Sequence, residues 1–129
     1  MTDSQPLGSF GWIDLTVDDA IALRDFYSDV AGWTSEGIQM TDDEGGYEDF
    51  VMMNSAGVPV GGVCHRRGGN SDQPTGWINY VTVPDLAASV ERATKRGAAI
   101  LSAARRAGAG KFQVLRDPAG ATFALYQAD

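Results

Sequence analysis

A chain of 129 residues is one domain's worth and long enough to bury a core of its own. Its formal charge of −7 argues against nucleic acid and anionic membrane surfaces as partners. No apolar run reaches bilayer length, no basic-then-apolar signal segment opens the chain, and the single Cys64 excludes an internal disulfide; together these point to a cytoplasmic protein.

Met1 to Gly8 reads as a loosely held arm. Phe10 to Val17 then alternates, Trp12, Asp14 and Thr16 against Ile13, Leu15 and Val17, which is the period of a half-buried strand. Asp18 or Asp19 caps a helix running to about Ala31, with Leu23, Phe26, Tyr27 and Val30 at helical spacing and Gly32 to close it. Trp33 to about Met40 is a second strand, and Thr41 to Gly46 an acidic, glycine-containing loop. Tyr47 to Met53 and Val58 to His65 are the third and fourth strands, joined by the turn Asn54-Ser55-Ala56-Gly57. Arg66 to Gly76 is a polar stretch near the midpoint and the natural linker.

The order then repeats. Trp77 to Val83 is a strand, and Pro84-Asp85 starts a helix with Leu86, Val90 and Ala93 on its buried face and Gly97 at its end. Ala98 to Ala103 and Lys111 to Arg116 are strands around a loop at Arg105 to Gly110. The turn Asp117-Pro118-Ala119-Gly120 leads into the final strand. Asn54 and Asp117 are 63 residues apart, and Asp19 and Asp85 are 66 apart, so the two halves repeat one pattern. The fold class expected is α+β: two tandem βαβββ modules (about 9–66 and 76–127, with a linker at 67–75) forming a cupped eight-stranded mixed sheet with helices outside.

Val17-Asp18-Asp19, Phe26-Tyr27 and Gly32-Trp33 in the first half, with Val83-Pro84-Asp85, Gly97 and Asp117-Pro118-Ala119-Gly120 in the second, resemble the vicinal-oxygen-chelate superfamily, which holds glyoxalases, bleomycin-resistance proteins and dioxygenases. More narrowly, Gly61-Gly62-Val63-Cys64-His65, Trp77 and the Arg116-to-Ala121 ending resemble a glyoxalase-like branch. The resemblance implies a ligand cleft inside the sheet and a homodimer. In metal-dependent members it also implies four side chains on the opening and closing strands of each module, holding a divalent ion. Carried onto this sequence, those positions are Trp12, Gly61, Ile78 and Ala124. None offers the imidazole, thiolate or carboxylate that a divalent metal needs.

Alternation along the strands places other side chains beside those positions. Asp14, His65, Tyr80, Thr122 and Tyr126 join Trp12 on the expected cleft face, an aromatic setting with a few polar groups. His65, the only histidine, is a candidate acid or base, oriented by Asp14 where the two meet. The alternative is a solvated strand end, with Arg116 or Arg24 neutralising Asp14. Trp12, Tyr80, Tyr126 and Thr122 are candidate ligand contacts, with core filling as the alternative for the aromatics. Cys64 reads as a small buried hydrophobe. Glu48 and Asp49 read as strand-edge charges beside the acidic loop, and Arg105, Arg106 and Lys111 as a solvated basic cluster.

Two functions follow, beside a third reading in which the domain is purely an interaction module, its cleft filled by its own aromatics and by the linker Arg66 to Gly76. One is a metal-free protein, with no cofactor, that binds a small aromatic or anionic molecule in the manner of drug-sequestering bleomycin-resistance relatives. The other is a glyoxalase-like lyase, isomerase or dioxygenase with displaced metal ligands or with His65 as acid and base. The lack of a second histidine weighs against the enzyme.

Overall fold

The computed structural model describes residues 5–129, so the first half of the arm at 1–8 lies outside the described residues. The chain resolves into two compact units. One is Ile13–Trp77; the other is Ile78–Asp129 together with the described residues up to Trp12.

The unit Ile13–Trp77 holds most of β1 (Phe10–Val17), then α1 (Ala20–Ala31), β2 (Thr34–Asp42), β3 (Gly45–Met53) and β4 (Pro59–His65). Helix α1 begins where the Asp19 carboxylate accepts the Ala22 amide N–H at 3.0 Å. It ends at Gly32, whose φ of 72° is the left-handed cap that a residue without Cβ takes at little cost. Strand β4 pairs in parallel with β1 and antiparallel with β3, and β3 pairs antiparallel with β2. Ala20, Phe50, Met52 and Val63 form the buried core, with Leu23, Tyr27, Trp33 and Trp77 packed against it. Spacing alone puts Phe26 and Val30 on the buried face of α1; they are exposed, at 50% and 65%. The helix instead seats Ala20, Leu23 and Tyr27, because fully buried Ala20 brings that line closest to the sheet. The acidic loop expected at Thr41–Gly46 is a tight β2–β3 hairpin, paired down to Asp42 and Gly45.

The second unit repeats the plan with β5 (Trp77–Thr82), α2 (Leu86–Lys95), β6 (Ala99–Ile100), β8 (Gly110–Arg116) and β9 (Thr122–Ala128). Strand β9 pairs in parallel with β5 and antiparallel with β8, which pairs with β6. To the eight strands expected is added a short ninth, β7 (Arg105–Ala107), which folds back on β8 through a tight turn where a loop was expected. Its Arg106 is held by the Asp129 carboxylate. Asp85 caps α2 by accepting the Ala88 N–H at 3.0 Å, and the Leu86 N–H donates to the Gln127 side chain at 2.8 Å. Leu86, Leu115 and Leu125, with Val90 and Ala93, fill the space between α2 and its sheet, as the helical spacing predicts. The Gly8 N–H donates to the Thr82 carbonyl at 2.7 Å, so the end of the expected loose arm is held to this unit.

The repeat extends to individual hydrogen bonds. Asn54 Oδ1 accepts from the Ala56 and Val58 amides, while the Gly57 N–H donates to the Asn54 carbonyl. Asp117 Oδ1 accepts from Ala119 and Ala121, while Gly120 donates to the Asp117 carbonyl. Both turns rest on one side-chain oxygen that satisfies two amides. Asn54→Ala and Asp117→Ala are each expected to lower unfolding free energy by about 1–2 kcal/mol in urea titrations, with the slopes unchanged.

Candidate functional site

Strand β4 carries the sequence's best candidate, His65, and its register decides what His65 meets. Met53 pairs with Pro59 but Met52 pairs with Gly61, which leaves Val60 as an extra, bulged residue. Beyond the bulge, Val63 packs on α1's side with Ala20, Phe50 and Met52. Gly62 and Cys64 therefore face the other way, level with Asp14 and Thr16 across the parallel β1. The matched position Gly61 lies just past the bulge, so Gly61, Val63 and His65 take the face opposite Asp14 instead of the one expected. His65 pairs with Val17, three positions along from Asp14's partner Gly62.

His65 is held by the strand beside it. Its backbone N–H donates to Asp49 Oδ1 at 2.8 Å. Its ring Nδ1 lies 2.9 Å from the Glu48 carbonyl oxygen and 3.5 Å from Asp49 Oδ1. Since a carbonyl only accepts, Nδ1 carries the proton of the neutral ring and Nε2 is the lone-pair nitrogen. Tyr47 meets the ring edge-on at 5.7 Å between centroids, and Phe50 lies at 6.5 Å.

Asp49, expected as an edge charge, is buried at 6% exposure. Burial pushes its carboxyl above the usual range, against the lowering effect of the His65 amide and ring. Cys64, expected as a small buried hydrophobe, is half-buried, and desolvation pushes its thiol far up, helped by the Asp14 and Asp49 charges. Asp42, in the stretch expected as an acidic loop, is clamped by two Arg67 bonds of 2.8 Å that hold its carboxyl low. The Arg67 guanidinium also lies 4.2 Å from the centre of the Tyr47 ring. Arg24 pairs with its neighbour Asp25 at 2.9 Å and stacks on Phe50.

In the other unit, Trp12, Tyr80 and Tyr126 do come together. Tyr80 and Tyr126 are buried with Ile78, Phe112, Val114 and Ala124, and half-buried Trp12 packs against them. Thr122 stands apart, paired with Arg116 at the start of β9. Phe112 and Val114 are the contributors that sequence reasoning missed. Their alternation against Leu115 was available as a signal, but nothing local told which face was which. Tyr80 and Phe112 contact at 5.2 Å between centroids, and a Cβ on Gly110 would collide with the Tyr126 phenol.

A family model for the glyoxalase-like domain matches residues 12–126. The chain belongs to this family, within the vicinal-oxygen-chelate superfamily. The glyoxylase-named CFP32 of Mycobacterium tuberculosis (strain CDC 1551 / Oshkosh) is 29% identical over 124 residues, 95% of this chain and 46% of that protein. The anthracycline biosynthesis protein DnrV of Streptomyces peucetius is 32% identical over 133 residues, 93% of this chain and 47% of that protein. The chain thus spans about half the length of the curated relatives it matches. Methylmalonyl-CoA epimerase from Mycobacterium tuberculosis superposes with a TM-score of 0.58 at 15% identity, over 100% of this chain and 93% of that one, a likeness of fold.

The superfamily's metal does not fit this glyoxalase-like domain. Ile78 and Ala124 are buried in the apolar cluster, where Trp12 also packs. A Cβ on Gly61 would lie 3.0 Å from both Cγ2 and the carbonyl oxygen of Ile13, so a longer side chain there has no room. The register shift replaces Gly61 with Gly62 as the position level with Asp14, and Gly62 has no donor either. Among the described residues, no three His, Cys, Asp or Glu side chains gather into a metal-binding group.

Asp49 offers a test in pH. A carboxyl raised by folding stabilises the fold below its ordinary value of 3.8 and loses that contribution as pH rises through the folded value. Asn keeps the acceptor for the His65 N–H and carries no charge. Asp49→Asn is therefore expected to melt a few degrees above wild type at pH 7, with the gap closing as pH falls towards 4. A variant that melts lower at pH 7 would mean that attraction to His65 outweighs burial.

Proposed function

We propose that this domain binds a small, planar aromatic molecule, without cofactor and without the superfamily's metal. One observation carries the reading: the metal positions hold Trp12, Gly61, Ile78 and Ala124, and three of these belong to an aromatic cluster. Half-buried Trp12 is the stacking surface, Tyr80 and Tyr126 back it, and Thr122 supplies a polar contact at the rim of β9. The Streptomyces peucetius relative is named for anthracycline biosynthesis, and anthracyclines are fused-ring aromatics of this shape. Sequestration in the manner of bleomycin-resistance proteins, by a cytoplasmic homodimer, completes the reading; light scattering after gel filtration tests the dimer.

A second reading is favoured by the tautomer of His65. With Nδ1 engaged by the Glu48 carbonyl, Nε2 is the nitrogen able to accept a proton, as a metal-independent isomerase or lyase needs. The Glu48 carbonyl then orients the ring, with Asp49 rather than Asp14 as the neighbouring carboxylate, 3.5 Å from Nδ1.

Metal analysis, with calorimetric titration of Zn²⁺, Mn²⁺, Ni²⁺ and Fe²⁺, separates binder from metalloenzyme. The expected result is no stoichiometric metal and no binding heat, with a hydroxyanthraquinone quenching tryptophan fluorescence and Trp12→Ala weakening that binding about tenfold. A tight one-to-one metal site that disappears in His65→Ala would overturn the metal-free reading.

A further inference from the structure

The basic residues around the β7–β8 turn read in sequence as one solvated cluster, but strand pairing divides them between two faces. Arg106 stands opposite Lys111, and Lys111 opposite Gln127, whose side chain accepts from the Leu86 N–H at the start of α2. That row lies on the helix side of the sheet, and there the Asp129 carboxylate binds Arg106. Arg105 stands opposite Phe112 instead, and Phe112 opposite Tyr126, so these three share the other face. Ala107, two residues further along β7, packs against the aromatic cluster and fixes the face of Arg105 independently.

The aromatic row runs without a break up to this arginine. Tyr126 lies over Gly110 of β8, where a Cβ would collide with its phenol, and Gly110 is opposite Ala107 of β7. Tyr80 meets Phe112 at 5.2 Å between centroids, and Trp12 packs on the same cluster. From β5, which carries Tyr80, to β7 is three strand spacings, about 14 Å. A fused-ring molecule bridges such a span when a long side chain reaches in from the end. Tyr80, Phe112 and Tyr126 are buried, whereas Trp12 and Arg105 are only half-buried. An incoming molecule therefore meets an indole for stacking and a guanidinium on one face.

Charge favours an anion here. Residues 1–12 and 78–129 hold seven of the chain's ten lysines and arginines but five of its seventeen carboxylates, so this unit is net positive within a chain of −7. A guanidinium carries five N–H donors in a planar fork that matches the two oxygens of a carboxylate, enough to serve a ligand while keeping a protein neighbour.

We propose that Arg105 recognises a carboxylate at the edge of the bound aromatic molecule, which makes the ligand an aromatic acid. The inference rests on the binding reading and deepens it, and it lies within one compact unit.

The test compares an anthraquinone carboxylate with its uncharged hydroxymethyl counterpart, substituted at the same ring carbon, by quenching of tryptophan fluorescence. Wild type is expected to bind the acid about tenfold tighter than the alcohol, with the preference shrinking as salt rises from about 0.05 M to about 0.5 M. Arg105→Gln is expected to lose most of that preference, its acid binding falling about tenfold and its alcohol binding changing far less. Arg105→Lys keeps the charge without the fork, and its preference is expected to fall between the two.

Equal binding of acid and alcohol by wild type, or a preference that survives in Arg105→Gln, would overturn the role of Arg105 and leave the binding reading standing. If Arg105→Gln melts well below wild type, Arg105→Lys and the salt series decide, and a preference that neither one moves overturns the assignment. Failure of wild type to bind either compound would overturn the binding reading and the Arg105 role together.

Discussion

Side chains along a strand alternate between the faces of a sheet, so one inserted residue moves everything beyond it to the opposite face. In β4 that residue is Val60. It sends Val63 into the core under α1 and turns Gly62 and Cys64 towards the face of Asp14 and Thr16. It also separates His65 from Asp14 and leaves it beside Asp49 on β3. The identity of the polar pair in this unit, and with it any acid–base chemistry open to the domain, follows from that one irregularity.

Arg66 and Arg67, adjacent in sequence at the end of β4, bond in different directions. Arg66 reaches Asp18 and the connection that follows it; Arg67 reaches Asp42 and the face of Tyr47. Exposed ion pairs contribute little each, because solvent screens them and two long side chains must be ordered. Their value here is geometric. A connection rich in Gly, Ser, Asn and Asp has a high entropy to lose, and two arginines acting from its near end, one of them reaching Gln73 and Thr75, restrict it without an apolar anchor. Gln73 and Trp77 are then delivered to fixed places, Trp77 donating its indole N–H to the Tyr27 hydroxyl at 3.0 Å.

The features legible in the sequence were those fixed within a few residues. Asp19 and Asp85 cap helices, Gly32 ends one, and Asn54 and Asp117 organise matching turns, each through bonds spanning two to four residues. The duplicated plan followed from such local signals. What stayed hidden depended on distant parts of the chain. Phe26 and Val30 fit a helical stripe as well as Leu23 does, and only the seating of Ala20 against the sheet decides between them. The Asp49–His65 contact joins residues 16 apart, across a register that spacing did not disclose. Trp12, Tyr80 and Tyr126 share one cluster, and no bulge interrupts the β5–β9 or β8–β9 ladders that carry the two tyrosines.

The positions matched to the superfamily's metal ligands carry no donor side chain, for different physical reasons in the two units. In the second, Ala124 is completely buried and Ile78 nearly so, among Phe112, Val114 and two tyrosines. A carboxylate placed at Ala124 would meet apolar neighbours, and the cost of burying an unpaired charge there exceeds what one metal bond to a half-built site returns. In the first, Gly61 is crowded by Ile13 while Gly62 carries no side chain beside Asp14, Thr16 and Cys64. Polar groups adjoin a missing side chain in one unit, and aromatic groups close over a small one in the other.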